Sequence, residues 1–450
     1  MPGKHLGQWS GVGLVIANMV GAGVFISAGF SAQSMRPGHI LLAWLAGAVL
    51  ALCGSKAYAE VARLVPRSGG EYRYLSTLLH PSLGYLAGWA SFLVGFSAPI
   101  AIDALAAGEF ARQLFGVPAL GTAVLLIAGL GALHASGLEQ SAKGQNVLIA
   151  IKVLLLLFFT GTGLLLGSHS WPTWTPPHVS EGFPTGSFVN SLFYIAFAFS
   201  GWNAAIYASE EFDEPTKTVP RAMIIGCALV AVLYLLLNFV FVANLDPKTA
   251  EVVFAFDAPN SAKVTLGHEV MKKLLGAGAA NVMSGIILLA FISAMSAMTL
   301  VGPRVYAAMA NDGFLPKALG TVDGHPPRFS VLLQSALAIL LVFITNLQQV
   351  LKDVGAILSF FAALTMCGLF RAALSNVTPE KPRPLALLAA FVYAGSTVFM
   401  LYTSIDGWLH PQFGEAHPYY LIYIAVVAVV ALVAWGVTKM MNAPKGAPGK

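Results

Sequence analysis

Apolar stretches of about twenty residues recur along almost the entire chain, separated by short polar breaks. A run of that length spans a bilayer as a helix. Only helices and closed barrels satisfy every backbone N–H and C=O in lipid. The runs are continuous rather than alternating, which excludes a transmembrane β-barrel. The charge count agrees: of 450 residues, 25 are Lys or Arg and 20 are Asp or Glu, a charged share of 10% against 57% hydrophobic. So few charges cannot cover a water-soluble surface of this size. A soluble enzyme, a nucleic-acid binder and a disordered chain are excluded. The chain reads as an all-α polytopic membrane protein.

Twelve spans are expected, at 10–34, 39–64, 82–107, 118–137, 143–167, 187–211, 219–244, 281–309, 329–346, 352–374, 384–405 and 419–440. The longer connections are 168–186, rich in Trp and Pro, and 245–280, with a short amphipathic helix expected around Val264–Leu275. No cleavable signal peptide precedes the first span. With the N-terminus inside, sixteen of the basic residues fall on the cytoplasmic side and seven, including Lys352, on the outer side. That bias places both termini in the cytoplasm and favours an even span count. Lys56 and Lys152 lie within spans. Cys53, Cys227 and Cys367 sit in apolar segments without CxxC spacing, and the histidines lack ligand spacing, so neither a metal site nor a cofactor is expected.

Two spans are interrupted. Span 1 carries Gly21-Ala22-Gly23 near its middle, and span 6 carries Ser200-Gly201-Trp202-Asn203. Each opens a set of five spans, and matching interruptions in two halves point to an inverted-repeat transporter. An unwound turn in lipid leaves N–H and C=O groups that need partners from protein, water or substrate. Free N–H groups at a half-helix N-terminus suit a carboxylate, and free carbonyls suit an ammonium. Together they suit a zwitterionic α-amino acid. Close helix packing is the simpler explanation of a lone GxG.

The motifs reach a family. Gly21-Ala-Gly-Val-Phe is similar to a GSGIF pattern, with Ala22 where Ser is usual. Pro66-Arg-Ser-Gly-Gly70-Glu-Tyr-Arg-Tyr74 is similar to P-x-SGG-x-Y-x-Y. Phe197-Ala-Phe-Ser-Gly-Trp-Asn203, then Glu210-Glu211, Pro215 and Val219-Pro-Arg-Ala222, follow in order. Arg304-Val-Tyr306 and Asn311-Asp-Gly-Phe-Leu-Pro316 close span 8. Across its whole length the chain resembles the amino acid–polyamine–organocation (APC) superfamily, most of all the L-type amino-acid transporter branch and its bacterial relatives.

The resemblance implies the leucine-transporter (LeuT) fold: a five-plus-five inverted repeat over 10–167 and 187–374, with two extra C-terminal helices over 384–441. It implies alternating access, with the substrate carboxylate on the backbone of Gly21, Ala22 and Gly23. The amine would meet carbonyls around Ile16 and Ala17 and around Phe197, Ala198, Phe199 and Ser200. Trp202 is weighed as a lid over the substrate against plain packing, and Asn203 as a polar contact.

Lys152 lies nine residues past Lys143, about 13–14 Å into the membrane, beyond the reach of a snorkelling stem. There it needs carbonyl partners or must give up its proton. In the family this position implies an ammonium in the place of a sodium ion, held by helix 1 backbone and helix 8, where Ser293, Ser296 and Thr299 offer hydroxyls. Sodium-independent transport follows. Asn18 reads as contact between helices, Asp103 as an outer-end residue reaching the interface, and Glu60 as the i,i+4 partner of Lys56. With no acid in span 1 and Ser200 at the span 6 break, a neutral and small amino acid is favoured over a cationic one. The outer connection 108–117 has no cysteine, so no disulfide-linked heavy subunit is expected. The expected function is secondary transport of neutral L-amino acids across the inner (cytoplasmic) membrane, by exchange or with a proton. A cationic amino acid or amine antiporter is the alternative.

Overall fold

The computed structural model describes residues 6–67, 69–136, 142–176, 179, 182–245, 247–253, 264–320, 328–409 and 419–441. For 142–149, 208, 210, 252, 419, 420, 423 and 437–441 it describes the backbone alone. Among the described residues there is no β-strand. The helices are α1 (Gln8–Met19), α2 (Ala22–Ser31), α3 (Pro37–Leu64), α4 (Glu71–Leu78), α5 (Pro81–Ala90), α6 (Ser97–Phe115), α7 (Ala119–Ala135) and α8 (Ala142–Leu166). They continue as α9 (Thr185–Ala198), α10 (Pro215–Asn244), α11 (Pro247–Val253), α12 (Leu266–Asn311), α13 (Arg328–Ile344), α14 (Leu347–Leu374), α15 (Pro384–Leu409) and α16 (Tyr419–Met441). Among the described residues, seven helical segments are long and apolar enough to cross a membrane, and five shorter apolar helices accompany them.

Every expected span coincides with one helix or a broken pair. The first is α1 and α2, parted at Val20 and Gly21, where the backbone turns extended (Gly21 φ −132°, ψ −157°). The sixth is α9, a turn at 199–203, and a 3₁₀ segment Ala204–Glu211. The third is α5 and α6, joined by a π-helical turn at Ser91–Gly95, a local widening that often marks functional positions. Gly276 (φ 83°) kinks α12. The residues before the kink form the short helix expected at Val264–Leu275, and those after it form span 8. Lys352 belongs to α14 and is buried there, not in a loop, because that helix starts at Leu347, earlier than its hydropathy suggests.

The connections 2–3, 6–7, 8–9 and 10–11 meet on one side. Arg73 pairs with Asp312 at 3.0 Å, Arg304 with Glu211 at 3.5 Å, and Arg63 with Glu380. The N-terminal segment joins them: Leu6 N–H donates to Glu211 O at 2.8 Å. Alternating traverses bring even-numbered span ends together in this way. Glu60 does not pair with Lys56. It accepts from Arg63 at 2.8 Å and from the Arg383 N–H at 2.9 Å, because packing of α15 brings a closer donor.

Candidate functional site

The two breaks touch. Gly201 adopts a positive φ of 104°, and a Cβ there would lie 2.9 Å from the Asn18 carbonyl carbon and oxygen. Only glycine allows the sixth span to turn so close to the first. Gly23 serves a second close approach, since a Cβ on it would lie 2.6 Å from Ala198 Cα. Packing is therefore part of what the GxG does, alongside the break at Gly21.

The unwound turn of span 1 has partners within the protein. Lys152 Nζ donates to Val20 O at 3.1 Å and to Ala17 O at 3.5 Å. Tyr234 from α10 donates its hydroxyl to Met19 O at 2.7 Å. The Ile16 carbonyl accepts from Val20 N–H at 3.0 Å. On the other side of the break, Ala22 N–H donates to Asp103 Oδ1 at 2.8 Å. Asp103 is 4% exposed and stands inside α6. It does not reach the membrane interface as expected, because α6 turns it toward the break. Sequence reasoning did not place it at the break; the signal available was an acid isolated in an apolar span.

Lys152 is equally buried, at 4% exposed. Of the expected hydroxyls on helix 8, Ser296 meets His134 of α7 at 2.9 Å and Thr299 bonds back to Met295 O at 2.8 Å. Ser293 is buried on the same helix, α12. Helix 1 carbonyls hold the ammonium.

Beyond the break a cavity of about 900 Å³, counted with its open mouth, extends from Asn18 and Gly201 toward the connection 2–3. Ser200, Trp202 and Asn203 line it, as does the π-helical turn through Ser91 and Gly95. Phe197, Ala198 and Phe199 instead belong to the packed core. Phe199 lies between Trp44 and Tyr234, with ring centroids 6.1 and 5.2 Å away. Trp202 packs on Tyr58 and Tyr393, with ring centroids 6.3 and 5.7 Å away, while lining the cavity. Ile16, Ala17, Gly21, Ala22 and Gly23 are gathered at the span 1 break rather than along the cavity wall.

Sequence reasoning missed Glu71. It is the one charged side chain among the described residues that line the cavity. Its carboxylate accepts from Asn203 Nδ2 at 2.8 Å, Tyr207 Oη at 3.2 Å and Tyr58 Oη at 3.3 Å. A carboxylate therefore does stand at the span 6 break, supplied by the connection 2–3. Its signal was the acid after the glycine pair in the Ser-Gly-Gly-Glu-Tyr motif. Burial holds this carboxyl above the usual carboxylate range, and the three donated bonds oppose that shift.

An amino acid permease family model matches residues 6–436. The mouse "Large neutral amino acids transporter small subunit 2" (Mus musculus) is 28% identical over 430 residues, covering 91% of this chain and 77% of that protein. The Mus musculus "b(0,+)-type amino acid transporter 1" is 24% identical, covering 89% and 82%. The Homo sapiens "Asc-type amino acid transporter 1" is 28% identical, covering 71% and 61%.

Proposed function

The chain belongs to the amino acid permease family, a multi-pass membrane transporter rather than an enzyme, and on that premise we propose that it carries neutral, small L-amino acids without sodium. The reading has twelve spans, an inverted repeat over 10–167 and 187–374, and 384–441 outside it. Both termini are cytoplasmic and the membrane is the inner one. Transport proceeds by alternating access, as exchange or with a proton.

The observation that carries the sodium independence is Lys152 Nζ, 3.1 Å from the Val20 carbonyl of the broken helix. A fixed ammonium there supplies the charge that a metal cation would bring. Two broken helices in contact, with Ser200, Trp202 and Asn203 on a shared cavity, support the amino-acid reading. Ser200 favours a small substrate. No disulfide-linked heavy subunit is expected, since residues 108–117 contain no cysteine.

A second reading, transport of cationic amino acids, is favoured by Glu71, bonded to Asn203 at the span 6 break. Three donors already meet that carboxylate, so the neutral reading stands first. Uptake into proteoliposomes decides between them. A panel of radiolabelled amino acids is offered with and without internal substrate, sodium and a pH gradient. Neutral uptake indifferent to sodium supports the first reading. Arginine exchange without neutral uptake replaces it with the second. Strict sodium dependence overturns the role given to Lys152.

A further inference from the structure

We propose that Asp103 couples substrate binding to proton uptake, by holding the N-terminus of α2 against a substrate carboxylate until it is protonated. This deepens the amino-acid reading above and rests on it.

The N-terminus of α2 has glycine at its cap position and no capping side chain of its own. Its first N–H groups therefore look elsewhere for acceptors. Asp103 reaches in from α6 and takes the Ala22 N–H at 2.8 Å. Its two carboxylate oxygens lie 3.2 and 3.5 Å from where a Cβ on Gly21 would be, so the group lies across the mouth of the half-helix. On the opposite edge, Lys152 takes the Val20 and Ala17 carbonyls. A zwitterion binding at this break would bring one carboxylate to the N–H groups and one ammonium to the carbonyls. The protein already has one of each in those places. Within the protein, Asp103 and Lys152 thus mirror at this break the two charges of a zwitterion.

A substrate carboxylate arriving at α2 meets Asp103. Two ionised carboxylates cannot share one buried helix end, and a proton resolves the conflict. One proton from the side of entry bonds to an Asp103 carboxylate oxygen. The neutral acid accepts more weakly from Ala22 N–H, and its new O–H can donate to the incoming carboxylate. On release the substrate leaves, the O–H bond breaks, the proton departs to the same side, and Asp103 recaps α2. Lys152 keeps its proton and its carbonyls throughout the cycle, so a neutral zwitterion travels with one positive charge.

The titratable groups facing Asp103 are Lys152 from α8 and Tyr234 from α10, whose hydroxyl is committed to Met19 O. From α12, Ala294 borders the same point. Among the other described titratable groups on elements packed against α6, His134 of α7 meets Ser296, His268 of α12 meets Ser284 and, at 3.5 Å, Gln113 of α6, and Asp353 of α14 accepts from Gln349. Further along α12 and α14, Lys272 pairs with Glu269, Arg304 with Glu211, Tyr306 with Phe92 O and Arg371 with Leu78 O. Lys352 lies buried beside Asp353 in the first turns of α14.

The full-length protein in proteoliposomes, with a trapped pH-sensitive dye and radiolabelled neutral amino acid, gives protons moved per substrate. This ratio does not depend on how active a given preparation is. The unaltered protein is expected to move about one proton per amino acid and to accumulate substrate down an inward acid gradient. In Asp103→Asn, which keeps an oxygen for the Ala22 N–H but cannot titrate, the ratio falls to the background leak of protein-free vesicles. Substrate-induced thermal shifts of the purified protein supply a second readout. They strengthen at acid pH in the unaltered protein and lose that pH dependence in Asp103→Asn.

Amino-acid flux through the unaltered protein with no accompanying protons overturns the proposal while leaving the transport reading intact. So does an undiminished ratio in Asp103→Asn, which moves the coupling to another group. Should Asp103→Asn fail to fold, Asp103→Glu, which keeps a titrating acid on a longer stem, is expected to shift the pH dependence of the substrate-induced thermal shifts, and an unmoved profile overturns the proposal. Absence of any amino-acid binding or flux in the unaltered protein removes the transport reading itself.

Discussion

The side-chain amide of Asn203 donates to Glu71 Oε1 at 2.8 Å, joining the unwound turn of the sixth span to the connection between the second and third. Tyr207, one turn further along, donates to the other oxygen at 3.2 Å. A single carboxylate thereby fixes two residues of the broken helix in the cavity lining. Any displacement of that turn relative to the connection requires these bonds to part.

Glu71→Ala leaves the Asn203 and Tyr207 donors without their acceptor. The expected loss is about 1–3 kcal/mol of stability, the usual result of stranding buried polar groups. Thermal melting of the detergent-solubilised protein measures it, with Glu71→Gln expected to lose less.

A pH dependence follows from the same residue. Its carboxyl is raised in the folded state, chiefly by burial. Its contribution to stability is therefore fully present below the ordinary carboxylate range and is lost as pH rises through the raised value. Melting curves across mildly acidic to neutral pH should show this decline. In Glu71→Gln that part of the slope disappears.

Lys152→Ala strips the donor from the Val20 and Ala17 carbonyls and leaves Asp103 without its facing cation. Transport is expected to be abolished. Each stranded carbonyl adds about 1–3 kcal/mol of destabilisation. Uptake assays and melting curves on the same preparation check both. In the unaltered protein, replacing sodium by potassium is expected to leave uptake unchanged.

Tyr234→Phe removes only the 2.7 Å bond to Met19 O. The ring still packs on Trp44 and Phe199. A loss of about 0.5–1.5 kcal/mol is expected, with folding intact. Equilibrium melting resolves it, and a markedly larger loss would mean the span 1 turn depends on this bond more than on Lys152.

Gly201→Ala and Gly23→Ala test the close contacts. The first places a side chain at φ 104° and 2.9 Å from the Asn18 carbonyl, and the second 2.6 Å from Ala198 Cα. Both are expected to reduce the yield of monodisperse protein by size-exclusion chromatography. Gly13→Ala, on the same span with nothing within 4 Å of the added atom, is the control and should be tolerated.

The positions of the spans were legible in the sequence because apolar length is a local property. Helix ends fell within a few residues of expectation at most spans, and the broken first and sixth spans were marked by glycine pairs and polar residues that no straight lipid-facing helix needs. Counting residues along one helix placed Lys152 far from polar ends, and it is buried in the structure. Partners on helix 1 backbone were expected from the family resemblance; the ammonium meets Ala17 O in α1 and Val20 O just beyond it.

Tertiary structure alone decided which groups meet at the breaks. Asp103 comes to Ala22 from 81 positions away and Glu71 to Asn203 from 132. In a membrane protein the lipid-facing surface is as apolar as the core: Leu125, Leu165 and Leu374 are exposed at 73, 81 and 89%. Hydrophobic periodicity therefore says little about how each helix is rotated. The sequence determined where the two apolar helices break and that a lysine stands within a third, far from its polar ends. The packing of the helices determined that the protein's own acid and base close the first of those breaks, because only their relative rotation brings a side chain on one helix to the unpaired backbone of another.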